Sequence, residues 1–399
     1  MSIPSVSRRG QSTPASPIRK LAPYADQAKA RGVKIYHLNI GQPDIPTPPE
    51  FYNALQKFDD KVLAYGPSNG LLSFRKSLKK YYHGYGFSHI DEQDIMVTTG
   101  GSEAVIFSMM AVASPGEEII IFEPFYPNYN GFARMAGINL VPVSTDPETG
   151  YRLPSIEKIE EKISSKTRAI LICSPNNPTG TILTRKEMEQ IEALALKYNL
   201  FVLSDEVYRE FTFDGNHTGI LSFPKLSQHA ILMDSLSKRY SACGARIGCI
   251  VTKNKEVMET ILKFGQARLC PPTLEQIGAS AVVETGDKYF NKMLAEYKKR
   301  RDTIYQTLTD IPGVYCKKPQ GAFYMMVTFP VADIEDFSRW LLTDFTVNGE
   351  TTMIAPGPGF YATPEKGKQE ARIAYVLNTG DLEKAANVLK EGLFAYRET

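Results

Sequence analysis

The sequence lacks the signatures of several common ligand sites. Its five cysteines form no CxxC pair and no close cluster with the five histidines, so we expect neither a metal site nor a disulfide framework, and a reducing cytoplasm suits the chain. The phosphate-binding patterns GxxxxGKS and GxxxxGKT and the dinucleotide turn GxGxxG are also absent. A P-loop NTPase would therefore lack its triphosphate cradle, and a dinucleotide-binding turn is not indicated.

Long apolar runs and blocks of like charge are missing as well. No stretch of about 20 apolar residues is present that would span a bilayer, and the net charge of +2 comes from 46 basic and 44 acidic residues spread along the chain. We therefore expect binding to neither membrane nor nucleic acid. The basic first two dozen residues faintly resemble a transit peptide. Ser16 and Pro17, however, are typical of an N-cap and a first helical residue, so we expect folded structure to begin there.

The apolar residues that are present predict a layered α/β fold. They make up 43% of 399 residues, which is enough for more than one core. Helical spacing lies between most of the apolar runs, as in Ser102–Val112 and Arg185–Tyr198, and strands alternating with helices predict a mainly parallel sheet covered on both faces. The predicted strands are Ile95–Thr98, Glu118–Phe122, Ala169–Cys173, Leu200–Ser204, Ala230–Met233 and Ile247–Val251.

The C-terminal third has a different pattern. A charged helix around Tyr297–Leu308 is followed by shorter strand-like runs at Ala322–Val327 and Ala371–Tyr375 and by a helix from Asp381. This pattern favours a separate α+β domain. We predict a large domain over residues 51–290 and a small domain over residues 291–399, with residues 1–50 forming an N-terminal arm that completes part of the small domain.

Polar residues follow the predicted strands at the edge where ligands bind in parallel sheets. Gly101 and Ser102 follow the first strand and form either a phosphate cup or a plain tight turn. Tyr126 lies in the aromatic cluster Glu123–Tyr129 after the second strand, which either stacks on a flat ring or packs in the core. Asn177 follows the third strand, where its amide either donates to a ligand or forms an Asx turn.

The fourth and fifth strands end in an acid and a lysine. Asp205 closes the fourth run, with Tyr208 three residues later, and by itself this acid is also typical of a Walker B strand. The fifth run is followed by Ser235, Ser237 and Lys238. Small hydroxyl residues thus surround a single lysine, with a second cation at Arg246 before the next strand.

Taken in this order, the segments resemble those of the class I/II pyridoxal-phosphate-dependent aminotransferases. Ser235–Gly248 matches the lysine signature of that family at every restricted position. The resemblance extends from about Ser16 to the C-terminus and includes Leu38–Asp44 and Pro319–Tyr324. It implies an aspartate aminotransferase-like fold, the pyridoxal-phosphate-dependent transferase fold type I. That fold has a large domain with a mainly parallel seven-stranded sheet between helices, and a smaller α+β domain.

The resemblance also implies a role for each of these residues. Lys238 would form the Schiff base with pyridoxal 5′-phosphate and move a proton, while Asp205 would keep the ring nitrogen protonated. Tyr208 and Asn177 would hydrogen-bond the phenolic oxygen of the cofactor. The other cofactor-binding residues would be Gly101, Ser102, Ser235, Ser237 and Arg246 at the phosphate, Tyr126 against the ring, and Tyr65, which would reach the phosphate of the neighbouring subunit in a homodimer with shared active sites.

For the substrate, the resemblance implies an α-carboxylate bound by Arg372, with Gly41 and Asn177 beside it. No residue matches the second cation of the dicarboxylate-specific members cleanly, although Arg268 lies near the relevant loop. The expected reaction transfers the amino group of an aspartate-like L-amino acid to a 2-oxo acid such as 2-oxoglutarate by a ping-pong mechanism. The alternatives are a carbon-sulfur lyase or cyclopropane-forming synthase on the same fold, and a non-catalytic sensor module. A regulator with such a sensor module would also need a DNA-binding domain, and we expect the roughly 40 residues before Gly41 to be too few for one.

Overall fold

Strands and helices alternate over residues 4–398, which the computed structural model describes apart from the side chains of residues 287 and 288. The strands are β1 Lys34–His37, β2 Ile95–Thr98, β3 Glu118–Glu123, β4 Asn139–Ser144, β5 Thr167–Cys173, β6 Phe201–Asp205, β7 Ala230–Ser235, β8 Gly248–Val251, β9 Tyr324–Thr328, β10 Glu350–Met353, β11 Ala355–Pro356 and β12 Glu370–Ala374. The helices are α1 Arg8–Ser12, α2 Ala22–Ala30, α3 Pro49–Gln56, α4 Leu72–Gly84, α5 Gly100–Val112, α6 Asn128–Ala136, α7 Ile156–Glu160, α8 Arg185–Tyr198, α9 Leu236–Arg239, α10 Lys255–Arg268, α11 Thr273–Val283, α12 Asp287–Thr309, α13 Ile334–Thr343 and α14 Thr379–Arg397. Within this part of the chain, no helix combines the length and apolar character that crossing a membrane requires.

The central sheet has seven strands in the order β2-β8-β7-β6-β5-β3-β4. Each neighbouring pair is parallel except those that include β8, which runs antiparallel to both β7 and β2. This arrangement confirms the mainly parallel seven-stranded sheet that was expected. The carboxyl ends of six strands therefore open at one edge of the sheet.

Both faces of the sheet are buried, which explains why its strands read as continuous apolar runs. In β5, Ala169 and Leu171 pack into the core on one face, while Ile170 and Ile172 pack into the core on the other. Side chains alternate across the sheet with a period of two, so a strand that is covered on both sides needs an apolar residue at every position.

Two smaller sheets lie outside the central one and join the two ends of the chain. One has the order β11-β12-β9, and the other pairs β1 with β10 in parallel. Leu38 connects them, because its N–H donates to the carbonyl of Met353 and its own carbonyl accepts from the N–H of Ala374. The N-terminal segment is thus part of this layer, while the predicted boundaries at residues 50 and 290 stay predictions.

One strand of the central sheet, β4, has no counterpart among the predicted runs. It lies at the edge of the sheet beside β3 and is mostly half-buried. Asn139 begins the strand and Pro142 interrupts it. Edge strands tolerate proline and need less apolar surface than central ones, so β4 shows no continuous apolar run.

The start of β8 packs tightly against the turn that opens α5. A Cβ atom on Gly248 would lie 2.6 Å from the carbonyl carbon of Gly100, 2.8 Å from the amide nitrogen of Gly101 and 2.7 Å from the carbonyl oxygen of Asp234. All three are backbone atoms, which cannot rotate away. Glycine at position 248 therefore lets the end of β7 and the start of α5 come together.

We predict that Gly248→Ala lowers the free energy of unfolding by about 1–3 kcal/mol, the usual cost of overpacking. Gly244→Ala is the matched control, because a Cβ atom there meets nothing within 4 Å. Its effect should stay within about 0.5 kcal/mol, as for other surface changes. Urea unfolding of the two variants measures the difference, and equal losses would contradict the steric explanation.

Candidate functional site

A cavity of about 620 Å³ opens at the carboxyl edge of the central sheet. It extends from the start of α5 to β12, and the segment around Gly41 also lines it. All the predicted site residues except Tyr65 and the candidate Arg268 line it, namely Gly41, Gly101, Ser102, Tyr126, Asn177, Asp205, Tyr208, Ser235, Ser237, Lys238, Arg246 and Arg372. The structure thus brings together in one cavity residues that are up to 331 positions apart in the sequence, from Gly41 to Arg372 (372 − 41).

One end of the cavity is suited to an anion. Helix α5 starts at Gly100, whose φ of 76° favours glycine, and a Cβ atom there would lie 2.5 Å from Nη2 of Arg246. The close approach places a guanidinium beside the free N–H groups of the helix start, where the helix dipole also attracts negative charge. Ser102 and Ser235 add hydroxyl groups to this end.

The middle of the cavity holds a buried acid. Asp205 ends β6, and its carboxylate accepts hydrogen bonds from the hydroxyl of Tyr129 at 2.6 Å and from the N–H of Val207 at 3.2 Å. Burial raises the pKa of Asp205 to about 6, and the carboxylates of Asp234 and Glu206 add to the increase. Among the described residues, no basic side chain lies against this acid to offset its charge. The carboxylate therefore favours a cationic ligand.

Lys238 lies across the cavity on the single-turn helix α9. Its Nζ donates to the carbonyl of Gly41 at 2.8 Å and lies 3.9 Å from Sγ of Cys243. The side chain of Ser235 caps the helix by accepting from the N–H of Ser237. The amine of Lys238 is thus held inside the cavity by a carbonyl, and no acid among the described residues pairs with it.

At the far end, Arg372 is buried with only 1% of its surface exposed. Nη1 donates to Oδ1 of Asn177 at 3.0 Å, Nη2 donates to the carbonyl of Asn39 at 2.6 Å, and Nε has no partner. The guanidinium lies 4.4 Å from the ring centroid of Tyr324. Burial lowers the pKa of Arg372 from its usual value. In the described part of the chain no Asp or Glu pairs with it, so the site is suited to the carboxylate of a ligand.

Two tyrosines connect these ends. The hydroxyls of Tyr208 and Tyr324 share a hydrogen bond of 3.0 Å, and both rings line the cavity. A Cβ atom on Gly41 would lie 1.7 Å from the hydroxyl of Tyr324, so any larger residue at that position would have to displace the Tyr324 ring. Tyr126 lines the cavity beside them, and burial raises its pKa to about 12.

Some site residues were not identified as such from the sequence. Tyr129 was seen only as part of an aromatic cluster, and its bond to Asp205 depends on how α6 packs against the sheet. Tyr324 was noted only within a resembling segment. Asn39 contributes through its backbone carbonyl, which any residue type would provide, so no side-chain signal could have indicated it.

Two predicted candidates lie outside the cavity. Tyr65 is 82% exposed on the surface of the single chain. Arg268 pairs with Glu103 at 3.4 Å and donates to the carbonyl of Ser68 at 3.1 Å. The single chain therefore does not bring Arg268 to the substrate end.

Comparisons with known proteins agree with this geometry. Residues 33–389 match the family model of aminotransferase class I and II. The chain is 31% identical to an aspartate aminotransferase of Sulfolobus acidocaldarius over 92% of this chain and 90% of that protein. It is also 31% identical to aromatic-amino-acid aminotransferase 2 of Thermococcus litoralis, over 91% and 94%.

A solved structure gives the same result. The alanine aminotransferase of Pyrococcus furiosus superposes with a TM-score of 0.89 at 31% identity, covering 98% of this chain and all of that one. The region matched by the family model contains every cavity residue from Gly41 to Arg372. The chain therefore belongs to the class I and II aminotransferases and is a transaminase.

Proposed function

We propose that this transaminase uses pyridoxal 5′-phosphate and transfers the amino group of an L-amino acid, aspartate-like, to a 2-oxo acid such as 2-oxoglutarate by a ping-pong mechanism. The observation that carries the proposal is that one cavity joins the amine of Lys238, the buried acid Asp205 and the buried cation Arg372. Each of these groups lacks an oppositely charged partner among the described residues.

The donor set of the cavity fits the cofactor. A phosphate needs N–H, hydroxyl and guanidinium donors, and all three kinds meet at the start of α5. A pyridine nitrogen needs an acid, and the uncompensated carboxylate of Asp205 favours the protonated ring. The residues that would hold the cofactor are Gly101, Ser102, Ser235, Ser237 and Arg246 at the phosphate, Asp205 at the ring nitrogen, Asn177 and Tyr208 at the phenolic oxygen, and Tyr126 at the ring face.

When bound, pyridoxal phosphate supplies an aldehyde for amines and a ring that withdraws electrons. The residues of the chain would do the rest. Lys238 would hold the aldehyde and, once the substrate amine replaces it, act as the base and acid that moves the proton. Arg372 would bind the α-carboxylate through its fork of donors, with the N–H of Gly41 beside it. Asn177 already accepts from Arg372, so its amide N–H groups stay available as donors.

The names of the similar proteins bear on the substrate class. The similar proteins include enzymes named for aspartate, for aromatic amino acids and for alanine at the same level of identity. Aspartate is proposed because several of the relatives are aspartate aminotransferases. No observation favours a lyase, a cyclopropane-forming synthase or a sensor. A half-reaction with amino acid alone distinguishes these, since transfer leaves pyridoxamine phosphate and a 2-oxo acid.

We also propose a cytoplasmic homodimer with shared active sites. Three apolar side chains, Val62, Leu63 and Tyr65, are more than half exposed on one short segment, which is typical of a surface that another chain covers. All five cysteines are free thiols, which suits a reducing compartment.

We predict that Lys238→Ala removes the visible absorbance of covalently bound cofactor and lowers turnover by about 10²–10⁴-fold or more, because the proton-transfer group is lost. Lys29→Ala is the matched control, since Lys29 also lines the cavity but lies at its exposed rim. Absorbance and intact mass after borohydride reduction measure the adduct. An adduct that survives in Lys238→Ala would refute the assignment.

We predict that Arg372→Lys lowers kcat/KM for alanine and aspartate alike, by about 2–4 kcal/mol in transition-state binding, because both substrates carry the α-carboxylate. Arg268→Lys is the comparison variant. It should leave both substrates nearly unchanged, because Arg268 is outside the cavity and pairs with Glu103. A loss confined to aspartate in Arg268→Lys would mean that Arg268 reads the distal carboxylate.

We predict that mixing inactive Lys238→Ala subunits with Tyr65→Ala subunits restores about half of wild-type activity in the isolated hybrid dimer. If Tyr65 acts across the interface, one site carries both changes and the other carries neither. Light scattering on the wild type checks that a dimer forms. A hybrid no more active than the Tyr65→Ala parent would rule out a shared site.

A further inference from the structure

Helix α9, which carries Lys238, is only four residues long. A single helical turn is not stable by itself, because ordering its backbone costs more free energy than its first hydrogen bond returns. The turn is closed by a buried ion pair between Arg239, its last residue, and Asp234, which directly precedes the cap Ser235. The pair therefore spans the segment that presents both Ser235 and Lys238 to the cavity.

The carboxylate of Asp234 is fully satisfied where it lies. It is 2% exposed, and Asp234 lines the cavity on β7. Oδ1 accepts from Nη2 of Arg239 and from the N–H of Ser235 at 2.7 Å, while Oδ2 accepts from the hydroxyl of Tyr82 at 2.8 Å. Three donors fix the orientation of this acid behind the lysine helix.

The guanidinium of Arg239 extends the contact to a second segment. It is 1% exposed, its Nη1 lies 3.3 Å from Oε1 of Glu210, and its Cζ lies 4.6 Å from the ring centroid of Tyr81. The hydroxyl of Tyr81 also donates to Oε1 of Glu210. Glu210 follows Tyr208 by two residues, so Arg239 connects the segment of Lys238 with the segment of Asp205 and Tyr208.

The charges around the pair are nearly balanced. Burial alone would lower the pKa of Arg239, but the carboxylates of Asp234 and Glu210 raise it well above its usual value. Burial raises the pKa of Glu210 to about 7, which Arg239 opposes. The titratable groups facing the pair are Tyr81 and Tyr82 from α4, Arg209 and Glu210 from the segment after β6, Tyr240 after α9, and Cys249 from β8.

We propose that the Asp234–Arg239 ion pair is the positioning element for Lys238: it fixes α9 against the Asp205 segment, and its two charges offset each other behind the lysine. The inference rests on the proposed function, because it takes Lys238 as the group that bonds the cofactor. Removing Asp234 leaves Arg239 paired with Glu210, and removing Arg239 leaves the carboxylates of Asp234 and Glu210 without this cation. Either change alters the net buried charge by one unit. The changed charge then acts on the protonation of the Lys238 nitrogen, and it does so in opposite directions for the two substitutions.

The test is a pH titration of the visible band of the holoenzyme, which reports protonation of the Lys238 nitrogen when it is bound to the cofactor. Asp234→Asn leaves an excess positive charge and should lower the midpoint by about 0.5–1 pH unit, while Arg239→Met leaves an excess negative charge and should raise it by a similar amount. The double variant restores neutrality, and its midpoint should return to within about 0.2 pH unit of the wild type. Structural damage alone would not shift the two single variants in opposite directions.

Thermal unfolding of the cofactor-free protein gives a second readout. Each single variant should lower the midpoint temperature more than the double variant does, because only the single variants change the net charge of the buried cluster of Asp234, Arg239 and Glu210. If Arg239→Met does not fold, the pH midpoints of Asp234→Asn and of the double variant can still be compared with that of the wild type. Unchanged midpoints, or shifts of the same sign, would overturn the proposal. A wild-type holoenzyme without any visible band would instead refute the use of pyridoxal phosphate.

Discussion

The site depends on burying charges that no described residue of the chain neutralises. Asp205 lies at the end of a central strand, and no cation from the described residues faces it. Arg372 is almost fully buried beside neutral amide and tyrosine groups. Removing a charge from water is costly unless a partner recovers the energy. Here the cofactor ring and the substrate carboxylate would be those partners, so binding is directed toward ligands that carry the two complementary charges.

Backbone packing makes these buried charges possible. Gly248 lets β8 close against the start of α5, and Gly41 lets the N-terminal segment lie against Tyr324. In both places a single methyl group would collide with the site. The buried charges of the site therefore depend on close packing at Gly248 and Gly41, two residues without a side chain.

Much of the architecture was predictable because the central strands are covered on both faces. Strands β2, β3 and β5 to β8 read as apolar runs, and Asp205 and Lys238 follow two of them at the edge where ligands bind. The edge strand β4 was not predicted, since it is only half-buried and contains Pro142. Contacts between distant segments were not predictable either. The bond from Tyr129 to Asp205 and the approach of Arg239 to Glu210 depend on tertiary packing and leave no local pattern.

The pairing of β1 with β10 has a consequence for how the protein is made. Lys34 and Glu350 are 316 residues apart, so β1 leaves the ribosome long before its partner strand exists. The central sheet, by contrast, is complete once Val251 has been synthesised. Because chains fold from the N-terminus during synthesis, the edge that holds Asp205 and Lys238 can assemble while Arg372 is still untranslated. The nascent chain can thus form the proposed cofactor site before Arg372, the proposed ligand of the substrate carboxylate, has been made.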